Sequence, residues 1–141
     1  MRIIFVCTGN TCRSPMAEGI AKSVMPEHDI ESRGIMAHQQ QPLAQNTQRL
    51  LRQNGYPQKE HSERLTEKDV NADIILTMTP DHTHLIRSIY GNDVNVQTLT
   101  SFVGSNGYVK DPFGGSIAVY EETFKQLKDL VLKLKDQIPE V

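Results

Sequence analysis

The sequence predicts an α/β fold: a four-stranded parallel sheet with helices on both faces. Strand-like and helix-like stretches alternate along the 141 residues, and this alternation is typical of parallel sheets built from β-α-β units. Two predicted strands, residues 2–7 and 73–78, are apolar enough to be buried on both sides, as strands inside such sheets are. The length suits one core, so we expect residues 1–141 to form a single domain.

The other strands and helices are predicted from the spacing of apolar residues and from the glycine and proline residues at their ends. The strands are predicted at residues 2–7, 29–33, 73–78 and 94–99. The helices are predicted at residues 15–25, 42–54, 80–90 and 117–138, with a short capped helix at residues 66–69. The last long helix has an apolar stripe that should pack in the core: Ile117, Tyr120, Phe124, Leu127, Val131, Leu134 and Ile138. Together these elements predict a doubly wound, flavodoxin-like arrangement.

The most informative segment follows the first strand. It consists of Cys7, Thr8, Gly9, Asn10, Thr11, Cys12, Arg13 and Ser14, and Pro15 then suits the first turn of a helix. A helix N-terminus has unpaired N–H groups and partial positive charge, so it attracts anions. The N–H groups of a tight loop can converge on one anion, and we expect Gly9 to supply the φ freedom for the turn. Residues 8–14 are therefore predicted to bind a tetrahedral oxyanion.

Two side chains give this loop a chemistry. Arg13 can bind two oxygens of a phosphoryl group at once. A thiol such as Cys7, beside an arginine at a helix N-terminus, is in the setting that favours a thiolate nucleophile, although a lone cysteine is more often a small buried apolar residue. Ser14 either directs its hydroxyl at this sulfur or caps the helix. The pattern favours a cysteine phosphatase, and no Gly-Lys-Ser/Thr is present to form a nucleotide P-loop.

A thiolate that attacks phosphorus also needs an acid to protonate the departing group. The candidate is Asp111, within a segment (residues 104–115) that contains four of the nine glycines and is predicted to fold over the strand ends. The residue pattern alone leaves an ordinary Asp-Pro turn as the alternative. Glu18 and Asp81 are other carboxylates, but they lie on predicted helical faces.

Cys12 lies five residues after Cys7 in the same loop. Oxidation could join the two as a disulfide that protects the nucleophile, and the alternative is a small residue that fills space under the loop. A metal site is not expected, because the five histidines lack ligand spacing: His82 and His84, two apart on a predicted helix, face different directions.

Composition limits the partners. The net charge of −2 provides no general attraction to nucleic acid or to anionic membranes. The chain contains neither an apolar run of membrane-spanning length nor a signal segment, and two cysteines in one loop are not a secreted disulfide framework. We expect a cytoplasmic enzyme without nucleic-acid or membrane partners, and a monomer, since nothing in the sequence requires a dimer.

Residues 6–18, together with Asp111, Pro112 and Phe113, resemble the low-molecular-weight protein-tyrosine phosphatases, and the resemblance extends over essentially the whole chain. It implies that Cys7 forms a phosphocysteine intermediate and that Arg13 binds the phosphoryl oxygens. It also implies that Asp111 acts first as general acid and then as base for the hydrolytic water. Such a scheme acts on phosphorylated proteins and needs no cofactor, because loop amides and Arg13 stabilise the transition-state charge.

Two departures from the tyrosine-specific members concern the substrate. Those members typically have an aliphatic residue where this chain has Thr11, and a second aromatic residue after the one equivalent to Phe113, where this chain continues Gly114-Gly115. Both features resemble the bacterial protein-arginine phosphatase branch. Thr11 and Phe113 are therefore predicted to determine specificity, with phosphoarginine on proteins favoured and phosphotyrosine as the alternative.

Three other classes share parts of this pattern. Thioredoxin-coupled arsenate reductases need further cysteines downstream, and none follows Cys12. A phosphocarrier with a strand-end cysteine would have no use for Arg13 and Asp111. A phosphopeptide-binding module would require an inert thiol. Steady turnover of an aryl phosphate, abolished by Cys7→Ser, separates hydrolysis from all three.

Overall fold

The structure, a computed structural model, describes residues 1–139. Its four strands, all parallel, are β1 (Arg2–Cys7), β2 (Asp29–Gly34), β3 (Ile74–Thr77) and β4 (Val96–Thr98). The helices of these residues are α1 (Arg13–Val24), α2 (Gln45–Gln53), α3 (Pro80–Tyr90), α4 (Leu99–Phe102) and α5 (Ile117–Gln137). Residues 140 and 141, the last two of the predicted domain, lie outside the described residues.

Both faces of the sheet are covered. Successive side chains of a strand point to opposite faces, so β1 serves two cores. Ile3 and Phe5 pack on the side of α1, α2 and α5, whereas Ile4 and Val6 pack on the side of Ile86 from α3. The predicted α/β fold, a parallel sheet with helices on both faces, is confirmed.

The strand order β2-β1-β3-β4 determines where a ligand can bind. After β2 the chain crosses to the other side of β1, so the point at which the order reverses lies between β1 and β3. In open parallel sheets the crevice at the carboxyl ends of these two strands is where ligands bind. Cys7, the last residue of β1, pairs with Gly34 of β2 at this edge.

Two local predictions were wrong. Residues 66–69 form a turn and not a helix. The Asp69 carboxylate accepts from the Thr66 N–H at 3.0 Å, as in a capping box, but the backbone bonds from Asp69 N to Thr66 O and from Ala72 N to Asp69 O each span three residues, so no α-helical turn continues. The fourth strand is shorter than predicted: it ends at Thr98, whose hydroxyl accepts from the Ser101 N–H at 3.1 Å and caps α4, a helix that was not predicted.

The long helix α5 is built as predicted. Its stripe is buried from Tyr120 to Ile138, and Ile117 packs at the edge of the same core. None of the helices within residues 1–139 combines the length and apolar character that a bilayer crossing requires.

Candidate active site

Residues 7–13, here termed the Cys7 loop, connect β1 to α1. Three of the loop's carbonyl groups accept hydrogen bonds from the surrounding chain: Cys7 O from Ile35 N at 3.0 Å, Thr8 O from Met36 N at 2.9 Å and Thr11 O from Ala44 N at 3.0 Å. The peptide bonds are trans, so the N–H of each unit points opposite to its carbonyl. The N–H groups of residues 8, 9 and 12 are therefore turned away from the surrounding chain and can form an anion cradle.

The sharp turn of the loop lies at Asn10 and not at Gly9. Asn10 has φ 57°, in the left-handed region, whereas Gly9 has no positive φ. A methyl group added at Gly9 would meet only Thr11 Oγ1, at 3.7 Å. The expectation that Gly9 supplies φ freedom was therefore wrong. Asparagine is one of the few non-glycine residues that adopt this region, because its short side chain can hydrogen-bond locally.

The loop encloses a pocket of about 220 Å³ at the carboxyl edge of the sheet. Cys7 and Arg13 both line it, although they are only 2% and 4% exposed. An Arg13 Nη donates to the Val109 carbonyl at 3.0 Å, and Arg13 Nε is buried without a partner among the described residues. The lining residues are Cys7, Thr8, Gly9, Thr11, Cys12, Arg13, Asp111 and Phe113. The structure thus brings together most of the predicted site, and only Asn10 and Ser14 do not line the pocket.

Ser14 contacts the sulfur rather than capping the helix. Helix α1 begins at Arg13, two residues earlier than a Ser14 cap would require, and its N-cap is Cys12. The Ser14 Oγ lies 2.9 Å from Cys7 Sγ. Of the two roles that the sequence left open, the structure supports a hydroxyl directed at the thiol.

Asp111 enters the site on the glycine-rich segment. Val109 N donates to the Met78 carbonyl at 3.0 Å, which fixes this segment at the end of β3. Asp111 Oδ2 then lies 3.7 Å from an Arg13 Nη, and Asp111 Oδ1 accepts from the Phe113 N–H at 3.0 Å. The carboxylate is half-exposed, so it is in contact with both the pocket and the solvent. Glu18, by contrast, is buried and paired with Lys22 beneath the loop.

Cys12 is a free, buried thiol on the wall of the pocket. Its sulfur lies 3.4 Å from the Tyr120 hydroxyl and 3.7 Å from Thr11 Oγ1. Burial raises the pKa of the Cys12 thiol, and the hydrogen bond from Tyr120 opposes part of that effect. Cys12 therefore favours the protonated form when no oxidant is present.

Comparison with known proteins identifies the family. The family model of the low molecular weight phosphotyrosine protein phosphatases matches residues 2–140. The chain is 47% identical over 135 residues to the low molecular weight protein-tyrosine-phosphatase PtpB of Staphylococcus epidermidis, covering 96% of this chain and 97% of that protein. The chain belongs to this phosphatase family.

Solved structures of the family include arginine phosphatases. A C7S mutant of the YwlE arginine phosphatase, with a phosphorylated active site serine, has a TM-score of 0.93 and 39% identity, covering 97% of this chain and 95% of the other. The YwlE arginine phosphatase of Geobacillus stearothermophilus has a TM-score of 0.90 and 33% identity, covering 96% and 91%. The present low-molecular-weight phosphatase therefore resembles members named for either substrate.

His82 is a residue of this phosphatase that the sequence did not reveal. It lies in the first turn of α3, and its Nε2 is 2.9 Å from the hydroxyl of Thr8 in the pocket wall. Burial, together with nearby Arg13, lowers the pKa of His82 from 6.5 to about 4, so the ring is neutral at pH 7. No sequence signal connects residues 74 positions apart; the contact follows from the adjacency of β1 and β3.

Lys59 is the second such residue. Its side chain is nearly buried and contacts Asn10 under the Cys7 loop. Within residues 1–139, no three His, Cys, Asp or Glu side chains are grouped closely enough to hold a metal ion.

Proposed function

We propose that this phosphatase hydrolyses phosphoarginine on proteins through a phosphocysteine intermediate. The observation that carries the proposal is the lining of one small pocket by Cys7, Arg13, Asp111 and Thr11. The first three supply a nucleophile, an anion-binding fork and an acid. Thr11 supplies a hydroxyl beside the space that the leaving group would occupy.

In the first step, the Cys7 thiolate attacks phosphorus while Arg13 and the loop N–H groups hold the phosphoryl oxygens. A sulfur–phosphorus bond forms and the phosphorus–nitrogen bond of phosphoarginine breaks. The departing guanidine nitrogen takes a proton from the Asp111 carboxyl group. Arg13 Nε, which lacks an acceptor among the described residues, is a donor available to the anion.

In the second step, water hydrolyses the intermediate. The water oxygen bonds to phosphorus, the sulfur–phosphorus bond breaks, and the Asp111 carboxylate takes the proton of the water. Inorganic phosphate leaves and the thiolate is regenerated. The Ser14 hydroxyl, 2.9 Å from the sulfur, supports Cys7 as the leaving group of this step by stabilising its negative charge.

Substrate choice rests on the pocket entrance. Thr11 presents a hydroxyl where an aliphatic side chain would suit a phenyl ring, and it can hydrogen-bond a planar guanidinium group. Among the residues that the structure describes, Phe113 is the one aromatic residue that lines the pocket, and Gly114, at φ 80°, adds no second wall. The arginine phosphatases among the similar structures also support this assignment.

Phosphotyrosine is the second candidate substrate. It is favoured by one specific observation: a relative with 47% identity is named a protein-tyrosine phosphatase. A pocket of this kind discriminates substrates by contacts to the leaving group alone, because the phosphoryl group is common to both.

The deciding experiment compares one peptide sequence carrying either phosphoarginine or phosphotyrosine. We expect kcat/KM to favour phosphoarginine, and Thr11→Ile to shift the ratio toward phosphotyrosine by at least about tenfold, because a lost polar contact leaves a partner unpaired. Cys7→Ser serves as the inactive control. Full phosphoarginine activity in Thr11→Ile, with no gain on phosphotyrosine, would contradict the assignment.

A further inference from the structure

A buried polar network lies beneath the Cys7 loop, and one end of it is a lysine without a role in the steps above. The Lys59 side chain is 7% exposed. Its ammonium donates to Asn10 Oδ1 at 2.8 Å and to the Ser32 carbonyl at 2.9 Å, and it pairs with Glu63 Oε1 at 3.1 Å. An ammonium has three N–H donors, so all three are used. Lysine is rarely buried unless it is paired in this way.

These contacts fix the orientation of the Asn10 amide. Its oxygen accepts from Lys59 and from the Glu63 N–H, both at 2.8 Å. Its nitrogen donates to Ser14 Oγ at 2.8 Å and to Ser32 Oγ at 2.9 Å. With oxygen and nitrogen exchanged, the amide would place donors against two other donors. The observed orientation is therefore the one that satisfies the network.

The Asn10 amide in turn decides where the Ser14 hydroxyl points. Ser14 Oγ accepts from Asn10, and its own hydrogen has two acceptors in reach: Cys7 Sγ at 2.9 Å and the Arg33 carbonyl at 3.4 Å. The shorter contact takes the hydrogen, because hydrogen bonds weaken with length and ionised acceptors bring donors closer. The three hydrogen bonds then run in one direction: Lys59 donates to Asn10, Asn10 donates to Ser14, and Ser14 donates to the Cys7 sulfur.

We propose that Lys59 is a positioning residue: its ammonium holds the Asn10 amide, which holds the Ser14 hydroxyl with its hydrogen directed at the Cys7 sulfur. The inference rests on the proposed function, in which Cys7 is the nucleophile. A hydroxyl that donates to sulfur favours the thiolate over the thiol. The same contacts hold Asn10 at its uncommon φ of 57°, and with it the turn of the loop.

Other charged and titratable groups also act on the Cys7 sulfur, and they are the same in the unsubstituted chain and in a Lys59 variant. The charged and titratable side chains packed around the Cys7 loop from the neighbouring elements are Arg13, Asp111, Cys12, Glu18, Arg33, Lys59, Glu63, His82 and Tyr120. A substitution at Lys59 leaves the other eight in place, so a change in thiolate formation is then attributable to Lys59.

The test compares Lys59→Met with Lys133→Met. Each lysine pairs with a carboxylate four residues away, but Lys133 lies half-exposed on α5. In a Cys12→Ser background Cys7 is the sole thiol, and its alkylation by iodoacetamide reports the thiolate. At about pH 6 we expect Lys59→Met to slow alkylation about tenfold, in proportion to a smaller thiolate fraction. At about pH 10 all three chains should react equally, since every thiol is then ionised.

Turnover supplies the second readout. For an aryl phosphate, we expect Lys59→Met to lower kcat about tenfold with a smaller change in KM, because Arg13 and the loop amides still bind the phosphoryl group. Unchanged alkylation in Lys59→Met, or slowing that is equal at both pH values, overturns the role of Lys59. If Lys59→Met shows the expected slowing of alkylation but the unsubstituted chain hydrolyses no aryl phosphate, the proposed function is overturned instead.

A measurement on the unsubstituted chain covers the case in which Lys59→Met does not fold. NMR signals of the Lys59 ammonium and of the Asn10 side-chain amide are followed from about pH 4 to about pH 9, a range that includes the ionisation of activated thiols. We expect both signals to shift with the same midpoint as Cys7 alkylation. Signals that remain constant through that midpoint overturn the proposal.

Discussion

His82 Nε2 lies 2.9 Å from Thr8 Oγ1, and this contact joins the first turn of α3 to the Cys7 loop. The other ring nitrogen, Nδ1, is buried and has no partner among the described residues. A hydrogen on Nδ1 would be a buried donor without an acceptor, so the ring carries its hydrogen on Nε2 and donates to Thr8. The Thr8 hydroxyl hydrogen is then free to donate into the pocket.

Removal of either partner should weaken phosphoryl binding. We expect His82→Ala and Thr8→Val each to lower kcat/KM about tenfold, the effect of one lost hydrogen bond of about 1.4 kcal/mol. The double variant should lose little more than either single variant, because both remove the same contact. His84→Ala, on the exposed side of the same helix, is the matched control. Additive losses in the double variant would show that the two residues act independently.

The neutral state of His82 predicts an acid-sensitive stability. Burial and Arg13 lower the pKa of His82 from 6.5 to about 4. Between these values the unfolded chain binds a proton that the folded chain does not, so the free energy of unfolding falls as the pH drops through this window. At about 1.36 kcal/mol per pH unit the loss is at most about 3 kcal/mol. Urea titrations should show a smaller decline for His82→Gln; equal declines would mean that the folded ring is already protonated.

The acid role proposed for Asp111 depends on the leaving group. We expect Asp111→Asn to lower kcat for phosphoarginine peptides by about 10²- to 10⁴-fold, because a basic guanidine cannot depart without a proton. p-Nitrophenyl phosphate, whose leaving group is a stable anion, should lose much less. Asp93→Asn, at an exposed carboxylate away from the pocket, controls for the loss of charge. Equal losses on the two substrates would argue against proton transfer by Asp111.

Gly34 allows the Cys7 loop to approach the end of β2. A methyl group there would lie 2.7 Å from the Thr8 carbonyl and 2.8 Å from the Asn10 nitrogen, both backbone atoms. We expect Gly34→Ala to lower the free energy of unfolding by about 1–3 kcal/mol, and to lower kcat because the loop must shift. Gly9→Ala, with no contact closer than 3.7 Å, should change stability by less than about 1 kcal/mol in thermal or urea unfolding. Similar losses of stability in Gly34→Ala and Gly9→Ala would contradict this prediction.

The two pocket thiols predict reversible inactivation by peroxide. The Cys7 thiolate is oxidised by peroxide to a sulfenic acid, and Cys12 then displaces water from it to form a disulfide. We expect the loss of both free thiols, and recovery of activity with dithiothreitol. In Cys12→Ser the sulfenic acid should instead proceed to sulfinic acid, which dithiothreitol does not reverse. Mass spectrometry that finds sulfinic acid on Cys7 with Cys12 intact would exclude protection.

The sequence was sufficient for the four strands, the long helices and the anion-binding loop, because these features follow local rules. Apolar periodicity predicted the four strands and the long helices, and the spacing of Cys7 and Arg13 predicted an anion site at the end of β1. The family resemblance singled out Asp111, which the residue pattern alone left as a turn. The structure then brought Asp111 to within 3.7 Å of Arg13.

The side chains that support the Cys7 loop from outside could not be predicted from the sequence. Lys59 and His82 lie 49 and 74 residues from their loop partners, Lys59 in the segment between α2 and β3 and His82 on α3, and only the tertiary fold brings them to the loop. We expected the left-handed turn at Gly9, because glycine has no steric penalty in that region. The structure has Asn10 in this conformation instead, stabilised by the hydrogen bonds of the Asn10 side chain. Interactions of this kind depend on tertiary contacts that carry no periodic pattern.

The Phe113 ring at the pocket entrance is 75% exposed to water. We expect an arriving peptide to cover this ring and to displace the water around it, and burial of apolar surface lowers the heat capacity of the complex. Peptide association should accordingly become more exothermic on warming, whereas inorganic phosphate, which does not reach the ring, should show little of this trend.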